Sequence, residues 1–195
     1  MTEAVLLKPQ VDQNIHLDGE SIKIIGNGLP VDAIRWELMR APELWDKHTH
    51  RTADPSSPHH GLSDIWVRYG DEAVSDEPHA SHWYPSADQI PIIKRLCLDV
   101  MHAVGGTALG GVLITRIPAY ASVKPHTDER WHAREYAKFG VQIASAPGQK
   151  FCFEDASLET RPGDLFTFNN QRLHWVTNPT AHERITLIAC IRMES

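Results

Sequence analysis

Three side chains in this sequence have the types and spacing of a metal site: His126 and Asp128 in His126-Thr127-Asp128, and His174. In a β-strand, residues two apart point to the same face, so a strand here would let His126 and Asp128 reach one ion together. A histidine from a neighbouring strand, His174, would complete a set of two imidazoles and one carboxylate. That facial set leaves coordination positions open and suits oxygen-activating non-haem Fe(II). Arg184 follows His174 by ten residues. It is expected one strand further on, where a guanidinium can hold an anionic co-substrate.

The chain has 12 histidines and 25 acidic residues, so similar pairs also arise by chance. His16-Leu17-Asp18 is a second His-x-Asp, and Arg192 follows His182 by ten. Context separates them. His16 lies in a polar stretch where Asp18-Gly19 reads as a turn. Arg192 is three residues from the end of the sequence, with no strand expected to carry it. His126 follows an apolar run, His174 follows a strand-like segment, and Arg184 opens the strongest strand pattern in the chain.

A chain of 195 residues, 42% hydrophobic and 23% charged, fits one soluble domain with one sizeable core. We divide it into 1–109, helical and strand support with substrate loops, and 110–192, a metal-binding β core. The net charge of −6 argues against nucleic acid or an anionic membrane as the partner. Cys97, Cys152 and Cys190 are odd in number and lack metal-ligand spacing, which reads as reduced thiols in a cytoplasmic protein. No basic segment followed by an apolar core opens the sequence, and no apolar run approaches membrane-spanning length.

The chain changes character about halfway. An early strand pair is expected around Asp18-Gly19, between Ile15 and Ile25. A helix starts near Pro30 and runs to about Met39, and 46–58 is loop-like. Asp64 to Tyr69 alternates as a strand, and a second helix runs from Ser86 to about Val104. Strand signals then follow at 111–117, 122–128, 139–144, 150–153, 165–169, 173–177 and 184–191, punctuated by Pro147-Gly148, Asp155-Ala156 and Pro162-Gly163-Asp164. Strands in that density after two helices predict an antiparallel sandwich or barrel braced by helices.

At these residues the chain resembles the 2-oxoglutarate/Fe(II)-dependent dioxygenases of the double-stranded β-helix, a cupin-like jelly roll that is mainly β with flanking helices. Ile117-Pro118-Ala119-Tyr120 leading to Pro125-His126-Thr127-Asp128 is similar to the aspartyl/asparaginyl β-hydroxylase and proline hydroxylase branch. So is Pro162-Gly163-Asp164-Leu165-Phe166 leading to Asn170, His174 and Asn178-Pro179. The resemblance covers about 110–192. It implies Fe(II) on His126, Asp128 and His174, with 2-oxoglutarate as co-substrate and O2 as oxidant. Arg184 would pair with the distal carboxylate, because its planar fork matches that group bidentately. Thr186, two along the strand, would add its hydroxyl. One departure concerns the Arg-x-His pair that this branch often carries after the metal motif. The nearest match here is Lys138-Phe139-Gly140, without the histidine.

The expected reaction is hydroxylation of an amino acid, a peptide residue or a small polar metabolite, with succinate and CO2 as co-products. Arg130, Trp131, His132 and Arg134 offer a lid over an anionic substrate. Trp66 and Arg68 alternate on a strand, so one face could line the pocket, although core packing also explains Trp66. His48, His50, His59 and His60 resemble a second metal site only loosely and read as an exposed loop. The segment from about His48 to Arg68, like the loop from about Glu129 to Ala137, is nonetheless a candidate for substrate choice. The alternatives are a cupin-like isomerase or lyase using Mn, Zn or Fe without 2-oxoglutarate, and a non-catalytic binding module. Arg184 with Thr186 speaks against the former, and the complete ligand set against the latter.

Overall fold

The computed structural model describes residues 10–12, 14–71 and 76–194. Among them the strands are β1 (Gln10–Val11), β2 (Ile22–Asn27), β3 (Ser63–Tyr69), β4 (His82–Trp83), β5 (Gly106–Ile117) and β6 (Ser122–His126). After these come β7 (Ala137–Ala144), β8 (Lys150–Phe153), β9 (Ser157–Leu158), β10 (Leu165–Phe168), β11 (His174–Thr177) and β12 (Arg184–Met193). The helices are α1 (Asp32–Arg40), α2 (Ser86–Gln89), α3 (Pro91–Ala103) and α4 (Trp131–Glu135).

Period-two alternation sorts the strand residues onto two faces. On β12, Ile185, Leu187, Ala189 and Ile191 pack with Ile34 and Leu38 of α1 and Ile93, Leu96 and Val100 of α3. The intervening Ile188 packs instead against a second core of Ile117, Val123, Phe151, Phe153, Phe166, Phe168 and Val176. That second core draws on both sheets. The larger has the order β1-β2-β10-β7-β12-β5-β3-β4 and the smaller β6-β11-β8-β9, with antiparallel pairing throughout. Helices cover one face of the larger sheet and the smaller sheet lies over the other. This is the helix-braced double-stranded β-helix expected from the sequence.

Alternation also fixes which way the chemistry points. Arg184, Thr186 and Ile188 share a face of β12, the face toward the inter-sheet core. The cross-strand partners of Thr186 are Thr115 on β5 and Gln142 on β7. Polar side chains from three strands therefore meet inside an otherwise apolar interior.

Several boundaries differ from expectation for identifiable reasons. The 86–104 helix is two helices, because Pro91 disfavours helical backbone at Ile90, where φ is −123° and ψ is 76°. Of the early strand pair, only β2 overlaps the expected segment, and its partners are β1 and β10. Asp18 and Gly19 form the predicted turn, with φ of 49° and 92°. β12 runs on to Met193, so Arg192 does lie on a strand, where it pairs with Glu135 at 2.8 Å. β6 ends at His126, not Asp128. Cys97, Cys152 and Cys190 are buried free thiols. Among the described residues, no helix is long and apolar enough to cross a membrane.

Candidate metal centre

His126 on β6 and His174 on β11 are cross-strand partners. Each ring is fixed by the carbonyl two residues before it: His126 Nδ1 lies 2.9 Å from the Lys124 carbonyl and His174 Nδ1 lies 2.8 Å from the Arg172 carbonyl. A carbonyl can only accept, so each Nδ1 carries the proton and each Nε2 is left as a lone-pair donor. Asp128 does not reach the site by strand alternation. It sits just beyond β6, and its backbone N–H donates to the Asn170 carbonyl at 2.9 Å, tying it to the turn before β11. Asp128 Oδ1 then lies 3.8 Å from His126 Nε2, and Oδ2 4.0 Å from His174 Nε2. One ligand atom from each residue falls within 4.8 Å of the other two.

The electrostatics leave this set ready for a cation. Burial lowers the pKa of both imidazoles, that of His174 to about 4, so both are neutral donors at pH 7. Burial pushes the Asp128 carboxyl upward, but the Lys138 ammonium, 2.5 Å from Oδ2, and the two imidazoles outweigh it. The carboxyl is held below its usual range. Two neutral nitrogens and a carboxylate match the requirement of Fe(II).

Arg184 is fully buried. Its Nη2 donates to Thr160 Oγ1 at 3.1 Å, while Nε and Nη1 have no partner. Burial without a carboxylate pushes its pKa down to about 10. Thr160 donates in turn to Gln142 Oε1 at 2.7 Å, and Thr186 Oγ1 donates to the same oxygen at 3.3 Å. Gln142 and Thr160 escaped the sequence reading; an inward polar residue on an apolar strand was the available signal for Gln142. A buried guanidinium with two open donor atoms is costly unless an anion completes it. These residues fit the carboxylate of a co-substrate.

Of the sequence candidates for substrate contact, Arg134 donates to the Glu129 carbonyl and reaches Asp76 at the surface. Arg130 is exposed, whereas His132 is buried and accepts from Gly111 N–H at 3.1 Å. Trp66 is buried among His48, Tyr69 and Tyr84, and Arg68 bonds the Leu109 carbonyl beside Trp83. The loop histidines are not uniformly exposed. His50 and His60 are, but His48 packs on Trp66, and half-buried His59 sets its ring centroid 5.0 Å from that of His126, nearly perpendicular to it. The missing histidine of the Lys138-Phe139-Gly140 segment also has a physical reason. A Cβ at Gly140 would lie 2.1 Å from the Phe166 ring, which fills that space.

Two facing sheets that carry a His-Asp-His set and a buried arginine define the class of metal-dependent double-stranded β-helix oxygenases. Residues 32–193 match the aspartyl/asparaginyl beta-hydroxylase family, and the chain belongs to it. The match reaches well upstream of the 110–192 segment that carries the motifs. Family membership and the triad together make this an Fe(II)- and 2-oxoglutarate-dependent oxygenase. No curated protein matches the sequence. Among solved structures, the fold is similar to a prolyl hydroxylase from Trichoplax adhaerens in complex with a hypoxia inducible factor peptide fragment. The TM-score is 0.63 at 12% identity, over 92% of this chain and 88% of that one. A Pseudomonas putida prolyl-4-hydroxylase gives 0.53 at 16%, over 92% and 96%. The viral collagen prolyl hydroxylase of Paramecium Bursaria Chlorella virus-1, a 2-oxoglutarate complex, gives 0.52 at 14%, over 91% and 98%.

Proposed function

We propose that the protein hydroxylates a C–H bond of an amino acid, a peptide residue or a small polar metabolite, converting 2-oxoglutarate to succinate and CO2. The carrying observation is Arg184, a buried cation with two unused donor atoms. In this reading His126, Asp128 and His174 hold the metal, and Arg184 receives the distal carboxylate of the co-substrate. Thr186 and Thr160 flank that carboxylate with hydroxyls. Bound Fe(II) and 2-oxoglutarate supply the oxygen activation. The chain contributes fixed donor tautomers, the counter-charge and an apolar wall of Phe151, Phe153 and Phe168 around His174.

The segment before residue 110 belongs to the same working unit in this reading, since β2 and β3 complete the larger sheet. A peptide substrate is compatible with the peptide-bound relative, and a free amino acid with the same chemistry. An isomerase or lyase without 2-oxoglutarate would leave Arg184 without a purpose. The test is succinate formation from 2-oxoglutarate, with Fe(II) and ascorbate, across an amino-acid and peptide panel. Stimulation by a panel member supports the reading, and succinate formation independent of Fe(II) contradicts it.

A further inference from the structure

The loop before β3 holds a side chain that the metal centre does not use. Its Arg51 bonds Asp64 through Nε at 2.6 Å and Thr115 through Nη2 at 2.9 Å, and Asp64 is fully buried. The Pro58 carbonyl accepts from Lys124 N–H at 2.9 Å, two residues before His126. These anchors press His59 against the triad, its ring 5.0 Å from that of His126. Among the described residues, no group hydrogen-bonds the His59 imidazole. Burial, then the charges of Arg51, His126, Lys138 and His174, disfavours the charged form of this imidazole.

The charges of the site point to what this imidazole meets. Asp64 neutralises Arg51, while Lys138 shares Asp128 with the metal set. Under the function proposed above, Asp128 and one carboxylate of 2-oxoglutarate would offset the divalent metal, and the other carboxylate would offset Arg184. The charge of Lys138, which reaches the site at Asp128 Oδ2, is then in excess. A group with a single negative charge restores balance, and an imidazole N–H is a suitable donor to it.

We propose that His59 is a substrate-positioning residue and that the group it binds is a substrate carboxylate. This rests on the Fe(II)/2-oxoglutarate reading.

The probes are free L-amino acids, each tested against its α-amide, with aspartate against asparagine and glutamate against glutamine for side chains. At least one carboxylate should raise 2-oxoglutarate turnover above the substrate-free rate, and its amide should be about tenfold or more poorer in kcat/KM, as expected for one charge-assisted bond. His59→Ala should raise the Michaelis constant for that carboxylate by a similar factor, while the Michaelis constant for 2-oxoglutarate and the melting temperature stay unchanged. His59→Gln should recover part of the loss, and His60→Ala should change nothing. Calorimetry on Zn-loaded, 2-oxoglutarate-bound protein should rank carboxylate and amide in the same order. The proposal is overturned by amides that equal carboxylates, by an unchanged Michaelis constant for the carboxylate in His59→Ala, or by wild-type 2-oxoglutarate turnover that no carboxylate stimulates. Absence of any Fe(II)-dependent 2-oxoglutarate turnover overturns the underlying reading, and this proposal with it.

Discussion

His126 and His174 stand opposite each other on adjacent antiparallel strands, their ring centroids 4.3 Å apart. Strand pairing, not a loop, therefore sets the two nitrogen donors. Each histidine also locks its own tautomer on a carbonyl two residues back. Either one replaced by alanine should lower metal affinity by about 100-fold or more, beyond the range seen for outer-shell partners. Calorimetric titration of the apo-protein with Fe(II) under anaerobic conditions measures this. His16→Ala, at the exposed competing motif, should leave affinity unchanged.

Arg184 should trade stability for binding. Arg184→Met removes a buried guanidinium that makes one hydrogen bond, so the apo-protein should melt higher, in line with gains of about 1–4 kcal/mol when buried charges give way to apolar groups. The same change should weaken 2-oxoglutarate binding by about 2–5 kcal/mol with metal retained. Thr186→Val should cost less, about 1–3 kcal/mol. Thermal scans and 2-oxoglutarate titrations on one set of variants separate the two effects.

Apo-protein stability should fall on acidification through a histidine outside the metal set. His132 is 6% exposed, and burial, followed by the Lys138 and His79 charges, lowers its pKa to about 4. Its unfolded value is about 6.5. The folded state thus binds fewer protons than the unfolded state in this window, and stability is lost as pH falls from about 6.5 through about 4. The loss attributable to His132 approaches about 3 kcal/mol. Denaturant midpoints at pH 7 and pH 5 should differ more in the wild type than in His132→Gln, whose amide oxygen can still accept from Gly111.

Gly140→His, which restores the residue often seen in the branch, should not restore a contact. Its Cβ meets the Phe166 ring, and overpacking of this kind costs about 1–3 kcal/mol. Adding Phe166→Ala should relieve the clash while opening space beside Phe151. The measurement is the melting temperature of the single and double variants; an unperturbed single variant contradicts the packing.

What the sequence disclosed followed local rules. Alternation placed the strands, and spacing and residue type singled out the clustered His126, Asp128 and His174 and the buried Arg184, whose roles are proposed above. The break at Ile90 was also available, since Pro91 stands in plain view. Asp128 was recovered for the wrong reason: β6 stops at His126, and a backbone bond to Asn170, 42 residues away, brings the carboxylate in. His59 was hidden because its contact with His126 spans 67 positions and depends on Arg51 reaching a buried Asp64. Phe166 over Gly140 is likewise a pairing of neighbouring strands that periodicity does not encode.

The most direct measurement is 2-oxoglutarate binding under anaerobic conditions to the apo-protein, the Fe(II)-loaded protein and Fe(II)-loaded Arg184→Met. Tight binding is predicted only for the Fe(II)-loaded wild type, because in the proposed site the metal would hold one end of the co-substrate and Arg184 the other. Equal binding by all three would contradict the assignment of both ends of the site.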